Sequence, residues 1–232
     1  KGTDGTDVGT TLTTQGDILY RDGSGLQRLA AGTNGQVLQT GGSGANPSWG
    51  TVSSDVVKLA SATASSSSYI TFEDYYSSTY SHYEIVGHDI QYSTQTSLRF
   101  QLAYGASHTY PTSNYYSLTV GGYTDLGSTT NGSWADYNNN SGGFNVAFDH
   151  GASSSYLQHF NANFYNLSAT NPTKKTFNCF KLSQNTSWAF GNVYANGYTT
   201  ESNLISNAIT GIRVYPDSGN FVKGNFALYG IK

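Results

Sequence analysis

Residues 98–102 read Leu98-Arg99-Phe100-Gln101-Leu102, a strict alternation of apolar and polar side chains. Successive side chains of a β-strand point to opposite faces, so this pattern predicts a strand whose three apolar residues share one face. Arg99 and Gln101 then take the other face. Similar short segments recur through the rest of the chain, and their arrangement predicts the fold class.

From about Val52 onward, these segments are separated by polar turns and mostly follow one another at intervals of about 10 to 15 residues. No segment shows the 3.6-residue apolar stripe of an amphipathic helix. Evenly spaced short strands without crossover helices predict an all-β fold, an antiparallel β-sandwich with jelly-roll connections as the first choice. The predicted strands are Val56–Ala62, Tyr69–Phe72, Tyr83–Tyr92, Leu98–Tyr104, Tyr116–Val120, Phe144–Phe148, Tyr156–Leu167, Thr176–Leu182, Trp188–Tyr194, Ile209–Tyr215 and Phe226–Ile231.

Three segments between these strands are predicted to be loops: Ser65–Ser68, Tyr75–Ser81 and Gly121–Gly143. The last is longer than the roughly 12 to 15 residues at which a loop in a compact domain is often a binding element. We therefore expect Gly121–Gly143 to carry binding residues.

The composition disfavours several classes of partner. Charged residues make up 11% of the chain and the net charge is −3, so there is no strong field to attract DNA or an anionic membrane. No apolar run approaches the roughly 20 residues needed to span a bilayer. We expect no nucleic-acid partner and no membrane insertion. The 19 tyrosines and 27 glycines, in a chain rich in Ser, Thr and Asn, instead favour strands, turns and uncharged hydrogen-bonding surfaces.

Cysteine and histidine give no sign of a metal site or cofactor. Cys179 is the only cysteine, so the chain cannot form an internal disulfide, and we expect a small buried apolar side chain there. The five histidines form no His-x-His, His-Glu-x-x-His or Cys/His cluster. Within one chain we predict no metal and no cofactor. A threefold axis that gathers three copies of His159 is the alternative.

A repeat is present near the start of the chain. Residues Gly16–Gly25 recur as Gly35–Gly44, at an offset of 19 residues. Each copy places a short apolar strand before a Gly-Ser-Gly turn, and the returning segments Leu26–Leu29 and Pro47–Gly50 are suited to form the second arm of a hairpin. We assign residues 1–52 to a linker and repeat-built stalk, and residues 53–232 to a sandwich head.

Two such hairpins have too few apolar residues to offset an ordering entropy of about 1 to 2 kcal/mol per residue. We therefore expect identical chains to wind together into a cyclic oligomer with a shared core. The alternative is a flexible Gly/Ser linker, a description that suits residues 1–15. The predicted oligomerisation residues are Ile18, Leu19, Tyr20, Leu26, Leu29, Val37, Leu38 and Trp49.

The repeat resembles an element of tail-fibre and other virion proteins of tailed bacteriophages, GDLLY-DGSGL-RL-GT-GQVL. The matching residues are 16–20, 22–29 and 32–38. The head is similar to carboxy-terminal domains of such proteins at two further places, the Y-x-x-Y-x-I-V strand at 80–87 and the ending at 209–215, 218–221 and 224–231, which contains the terminal sGnF-sG-f-LYGi strand. The resemblance implies a homotrimeric virion appendage that contacts the host surface. It does not extend over residues 107–207.

Aromatic residues surrounded by Ser, Asn, Thr and Gly are the candidate receptor contacts. A Tyr or Trp ring offers a large contact area with few rotors, while small polar residues adapt their hydrogen bonds, so such surfaces suit a glycan or an outer-surface protein. The alternative is that these tyrosines fill the core or a subunit interface. The preferred patch is Trp134–Asn138, and the candidate residues are Tyr110, Tyr115, Tyr116, Tyr123, Trp134, Asp136 and Tyr137.

An enzymatic role would require a pair of carboxylates about 5 to 10 Å apart for glycoside hydrolysis. Glu73, Asp74 and Asp149 are the candidates. Adjacent residues in a strand point to opposite faces, and Asp74 is more simply a turn residue, so we predict that the chain is not an enzyme.

The expected function is therefore a virion structural protein, a tail or head fibre on the phage particle surface. It would attach to other virion proteins through its N-terminal region and bind the host cell through its head. Two alternatives stay open: a capsid decoration protein without receptor binding, and a polysaccharide-degrading appendage.

Overall fold

The computed structural model describes residues 8–125, 131–146, 157–171, 173–183 and 188–232. Over these ranges the chain is all-β, as predicted, with antiparallel sheets and two short helices, Val8–Thr11 (α1) and Ser202–Ser206 (α2). The chain divides into two compact units, residues 1–54 and residues 55–232. We call the first the hairpin unit and the second the head.

The hairpin unit contains the two pairs of strands that the repeat predicts. Ile18–Arg21 (β1) pairs with Leu26–Leu29 (β2), and Gln36–Gln39 (β3) pairs with Ser48–Thr51 (β4), both antiparallel. A glycine with positive φ precedes the first strand of each copy, a conformation that is strained for other residues.

The turn before each hairpin is repeated in atomic detail. Asp17 Oδ2 accepts a hydrogen bond from the Thr14 amide at 2.7 Å, and Gln36 Oε1 accepts one from the Thr33 amide at 2.7 Å. The two acceptors and the two donors are each 19 residues apart, so the sequence repeat is also a structural repeat.

The head contains an eight-stranded and a four-stranded sheet. A strand is found at every predicted position, several with longer ends, but the predicted strand Tyr156–Leu167 is shorter, Gln158–Tyr165, and the one at Tyr69–Phe72 is shifted by one residue. Tyr156 and the last part of the predicted strand Phe144–Phe148 lie outside the described residues. The strands are Val56–Ser67 (β5), Ile70–Glu73 (β6), His82–Tyr92 (β7), Leu98–Tyr104 (β8), Tyr115–Asp125 (β9), Asn131–Ser141 (β10), Phe144–Val146 (β11), Gln158–Tyr165 (β12), Thr176–Ser183 (β13), Trp188–Thr199 (β14), Ile209–Pro216 (β15) and Phe221–Ile231 (β16).

The chain alternates between the two sheets. The large sheet has the order β10-β9-β14-β13-β12-β7-β16-β5, and the small sheet has the order β11-β8-β15-β6. Strands β5 to β8 enter the large and small sheets in turn, and β15 and β16 return to lie between them. The pairs β9–β10 and β13–β14 extend the large sheet beyond β12.

The core lies between the two sheets, and Phe100 is at its centre. Its ring lies 5.4 Å from the rings of Phe160 and Phe164 and 6.0 Å from that of Phe177, measured between centroids. The three apolar side chains of residues 98–102 are fully buried, as predicted. Gln101, on the other face, is buried as well and donates to the Gly142 carbonyl oxygen at 2.6 Å.

Two predicted loops are wrong. Within Gly121–Gly143, β9 continues to Asp125 and β10 occupies Asn131–Ser141, so most of the segment is a strand pair. Ser65–Ser68 is largely the end of β5, which pairs with β16. Both segments are small and polar, and pairing with a neighbouring strand holds them extended despite weak propensity. The loop predicted at Tyr75–Ser81 is confirmed.

The first and last strands of the head are neighbours in the large sheet. β5 and β16 pair along their length, and the Lys232 amide donates to the Asp55 carbonyl oxygen at 2.8 Å. The chain therefore enters and leaves the head at adjacent points.

Candidate binding groove

The large sheet has one face on the core and one face turned outward. Residues that pair across successive strands line up in rows on this outer face. Two adjacent rows begin on β12 and cross β13 and β14, and the first of them continues onto β9. We call the first the aromatic row, formed by Tyr165, Thr176, Tyr198 and Tyr116, and the second the amide row, formed by Asn163, Asn178 and Asn196.

The aromatic row is ordered by ring contacts. Tyr116 and Tyr198 are cross-strand partners whose rings stack with centroids 5.2 Å apart and an interplanar angle of 12°. The Lys174 ammonium lies 4.1 Å from the centroid of the Tyr198 ring, a cation–π contact. At the other end, Tyr165 stacks on His82 at 5.2 Å. These contacts restrict the rotamers of the rings.

The amide row is held by side-chain hydrogen bonds. Asn163 Nδ2 donates to the amide oxygens of Asn161 and Asn178, each at 3.1 Å, and Asn178 Nδ2 donates to the Tyr165 hydroxyl at 3.2 Å. Asn161 in turn donates to the Glu84 carboxylate. The chain of bonds fixes the orientation of Asn178. Asn196, at the end of the row, is exposed, and its side chain has no hydrogen-bond partner in the described part of the protein.

The two rows line an open groove of about 450 Å³. Tyr165 lies on one side and Tyr137, the most exposed of its rings at 61%, lies on the other. The groove volume falls within the range of small-ligand sites, about 300 to 1,000 Å³. Its lining residues are Tyr116, Ser117, Leu118, Tyr137, Tyr165, Thr176, Phe177, Asn178, Asn196, Gly197 and Tyr198.

Gly197 allows the strands beneath the groove to pack closely. A Cβ at this position would lie 2.4 Å from the Tyr116 carbonyl oxygen and 2.7 Å from the Phe177 ring. Since no side chain tolerates such approaches, the spacing of β14 and β9 under the aromatic row depends on glycine here.

The described lining residues carry no formal charge at neutral pH. A second groove on the same face, over β5, β16 and β7, has a volume of about 430 Å³ and differs in this respect, because Lys58 and His88 line it. The first groove therefore suits an uncharged ligand.

Only part of the predicted receptor patch lies at the groove. Tyr116 and Tyr137 line it. Tyr123 and Trp134 lie in the paired strands β9 and β10, but their side chains are outside the described residues. Asp136 is on the opposite face of β10 from Tyr137, and it accepts a hydrogen bond from Asn138 at 3.2 Å.

Tyr115 was wrongly placed among the surface contacts. It is fully buried, and its hydroxyl bonds to both the amide and the carbonyl of Leu102. Tyr115 and Tyr116 are adjacent in a strand, so they must point to opposite faces, and only Tyr116 faces outward. Burial raises the pKa of Tyr115, consistent with a hydroxyl that serves the core.

Tyr110 lies away from the groove, beside the small sheet. Its hydroxyl donates to Glu73 Oε1 at 2.8 Å, and its ring lies 3.9 Å from the Arg213 guanidinium carbon. Burial raises the pKa of Tyr110, so the phenol stays protonated and serves as a donor. It does not join the other candidate residues.

The candidate carboxylates Glu73 and Asp74 meet the same histidine. β6 ends at Glu73, and Asp74 has a φ of +65°, so it is a turn residue, as predicted. This turn brings its Oδ1 to 2.9 Å from His108 Nε2, while Glu73 Oε2 lies 4.0 Å from His108 Nδ1. The expectation that the two carboxylates point apart is wrong for this reason. Asp149 lies outside the described residues.

Two residues of β13 face the core beside each other. Cys179 is buried, as predicted, and burial raises the pKa of its thiol. Lys181 is also buried, its ammonium 5.6 Å from the centroid of the Tyr92 ring, with no hydrogen-bond partner in the ranges that the structure covers. Burial lowers its pKa to about 8.

The predicted oligomerisation residues share one property: none is fully buried in the single chain. Val37 and Leu38 are 40% and 49% exposed. Trp49 is partly exposed and donates from Nε1 to the Ala30 carbonyl at 2.6 Å, which ties the second hairpin to the end of the first. In the described residues 8–54, no apolar side chain is fully buried.

Sequence reasoning missed Tyr165, Tyr198 and the three asparagines of the amide row. The signal for them was present in part: Asn178 alternates with buried Phe177 and Cys179, which indicates an outward-facing position. Their convergence depends on the register of four strands, which no local pattern reveals.

Two further searches of the described residues give negative results. No group of His, Cys, Asp and Glu is placed to hold a metal ion. No helix there is both long and apolar enough to cross a bilayer. Comparison with known proteins finds no matching family model, no matching curated protein and no matching solved structure.

Proposed function

We propose that the chain is a non-enzymatic structural protein of a tailed-phage virion, a tail or head fibre, whose head binds the surface of the host bacterium. The observation that carries the proposal is the uncharged groove of tyrosine rings and asparagine amides on an open sheet face. Rigid rings joined to adaptable polar groups are typical of recognition surfaces.

The position of the groove supports a recognition role. Its residues belong to β9, β10, β12, β13 and β14, all within residues 107–207, where the resemblance to phage proteins stops. This is expected if the framework of the head is common to many fibres and the binding region differs from one fibre to another.

We also propose that the head is a jelly roll. The strand order supports this: β5-β16-β7-β12 in one sheet and β6-β15-β8-β11 in the other correspond to the two four-stranded sheets of that fold. The pairs β9–β10 and β13–β14 are then insertions that widen one sheet and carry the groove.

The hairpin unit is proposed to be a stalk that joins three chains and attaches them to other virion proteins. Its lack of a buried core in a single chain supports this, because exposed apolar residues such as Leu38 need a partner surface. Three heads on one tip would raise avidity by orders of magnitude over a single weak site.

The test uses the purified full chain and the phage that carries its gene. We expect antibodies against the chain to label the virion, and the labelled chain to bind host cells and to block phage adsorption. If antibodies label the virion but the free chain does not block adsorption, the chain is a decoration protein. Release of reducing sugar from host capsule would indicate a degrading enzyme, and unlabelled virions would contradict any virion role.

A further inference from the structure

We propose that the groove over β12, β13, β14 and β9 binds a neutral oligosaccharide. This inference rests on the proposed function, since it names the ligand class of the same surface. It is carried by the chemistry and the register of the two rows.

The amide row supplies the polar recognition. A side-chain amide presents a donor and an acceptor next to each other, and a sugar hydroxyl both donates and accepts. Asn178 and Asn196 are cross-strand neighbours, so their amides lie side by side along the groove. Asn196 has no internal partner in the described part of the protein, and its donors and acceptor are free for a ligand.

The aromatic side chains supply the apolar contact. The C–H faces of a sugar ring pack on an aromatic face, and such a face must be open. Tyr137 meets this condition, because it is 61% exposed. The stacked pair Tyr116 and Tyr198 instead forms a fixed wall, since each ring covers a face of the other.

The groove is organised before a ligand arrives. Asn178 is fixed through Asn163 and Tyr165, and Tyr165 is fixed through its stacking on His82. A site whose side chains are already ordered loses less entropy on binding than a mobile one.

The surroundings disfavour other ligand classes. An acidic saccharide or a phosphorylated group favours arginine forks, and the described lining residues include no Arg, Lys, Asp or Glu. The ammonium of Lys174 lies on the ring of the lining residue Tyr198, but a single lysine does not form such a fork. A peptide that adds to a sheet needs a free edge, and β12, β13, β14 and β9 each have paired neighbours on both sides; of the strands that line the groove, only β10, at its end, is an edge strand. At about 4.8 Å between strands, the aromatic row crosses about 14 Å of sheet and the amide row about 10 Å, which is long enough for more than one sugar ring.

The test is an array of uncharged oligosaccharides of hexoses, deoxyhexoses and N-acetylhexosamines, with uronic-acid and sialic-acid glycans and peptides on the same surface. The probe is the full chain. We expect binding to at least one uncharged oligosaccharide. Tyr137→Ala and Asn196→Ala should each weaken it about tenfold, the equivalent of about 1.4 kcal/mol.

The chain offers matched controls. Tyr194 is 50% exposed on the same outer face, and Asn192 is exposed on the same strand as Asn196, but neither lines the groove. Tyr194→Ala and Asn192→Ala should change the affinity by less than about twofold, within the range of a neutral contact.

Several outcomes would overturn the inference: no binding to any uncharged oligosaccharide, binding confined to acidic glycans or peptides, or equal losses in the control variants. A change in the mass of the assembly on Tyr137→Ala would assign the groove to a second copy of the chain. If the chain binds host cells and Tyr137→Ala and Asn196→Ala leave that binding intact, the groove assignment fails while the proposed function stands. If groove-dependent glycan binding occurs but virions carry no copy of the chain, the groove assignment stands and the proposed virion function fails.

Discussion

The hairpin unit and the head are both built from antiparallel strands, but they differ in what holds the strands in place. The head encloses a continuous core around Phe100, whereas the described part of the hairpin unit fully buries no apolar side chain. Turn chemistry and backbone hydrogen bonds therefore suffice to define a hairpin's geometry. They do not supply the apolar burial that stabilises it, and this is why we propose that the hairpin unit packs against sister copies of the chain.

The largest expected effect concerns the assembly. We expect the full chain to have a mass of about 75 kDa by light scattering, three times the 24.9 kDa of one chain. Leu19→Asp and Leu38→Asp, at equivalent positions of the two repeats, should reduce it to the mass of a single chain. Val222→Asp is the control, because Val222 is a 40% exposed apolar residue of the head. A single-chain mass for the unaltered protein would contradict the proposal that the hairpin unit is stabilised by association of chains.

The next effect concerns the core of the head. Phe100→Ala should lower the free energy of unfolding of the head by about 3 to 5 kcal/mol, because it opens a cavity among several phenylalanine rings. The measurement is urea unfolding followed by circular dichroism. Leu38→Ala in the hairpin unit should leave this head transition unchanged. Comparable shifts from both changes would show that the two units unfold as one.

A third prediction concerns the buried ammonium of Lys181. Its pKa is about 8 in the folded head against an ordinary value of 10.5, so both states are protonated below pH 8 and the full cost of burying the charge applies there. Lys181→Met should raise the free energy of unfolding by about 3 kcal/mol below pH 8. The gain should fade as pH rises from 8 to 10.5, because the native lysine loses its proton first.

The control is Lys175→Met. The pKa of Lys175 is also lowered to about 8 by burial, but its ammonium donates to the Ala169 carbonyl oxygen. Replacement there leaves that carbonyl without its partner, so the gain should be smaller or reversed. A gain for Lys181→Met that does not vary with pH would disprove the electrostatic cause.

The smallest effect concerns the turn of the first hairpin. Burial alone would raise the pKa of Asp17, but its bonds with Arg28 and the amides of Thr14 and Thr13 hold it below the ordinary value of 3.8. These interactions should stabilise the turn above pH 4 and weaken as pH falls through the lowered pKa. An NMR titration of the Thr13 and Thr14 amides should show a midpoint below 3.8.

Asp17→Gln places in the first repeat the residue that Gln36 supplies in the second. Since Gln36 accepts the equivalent amide bond, the variant should keep the turn and lose only the acid-dependent change. If the turn is lost at neutral pH, the two repeats are not interchangeable.

The fold was predictable where side-chain period and strand propensity agree. β8 has the predicted bounds because Leu98, Phe100 and Leu102 alternate with polar residues. β10 was missed because residues 131–141 are rich in Asn, Gly and Ser and become a strand through pairing with β9. Tertiary pairing, not local sequence, determines such segments.

The groove was predictable only in outline. Tyr116 and Tyr137 stand out as aromatic residues in polar surroundings, and both line it. Tyr165 and Tyr198 lie more than 25 residues from either in sequence, and strand register alone brings them close. Tyr115 was assigned to the surface but is buried, because adjacent residues of a strand face opposite sides of the sheet and only Tyr116 faces outward.

The adjacency of Asp55 and Lys232 makes the head a candidate for circular permutation. A short linker joining these ends, with new termini opened in the loop at residues 75–81, would keep every strand of both sheets intact. The same adjacency means that the two ends of the head lie at one place, so the head is suited to transfer as a unit onto another carrier. A whole head, with the proposed groove on it, is then exchangeable without changes to the rest of the chain.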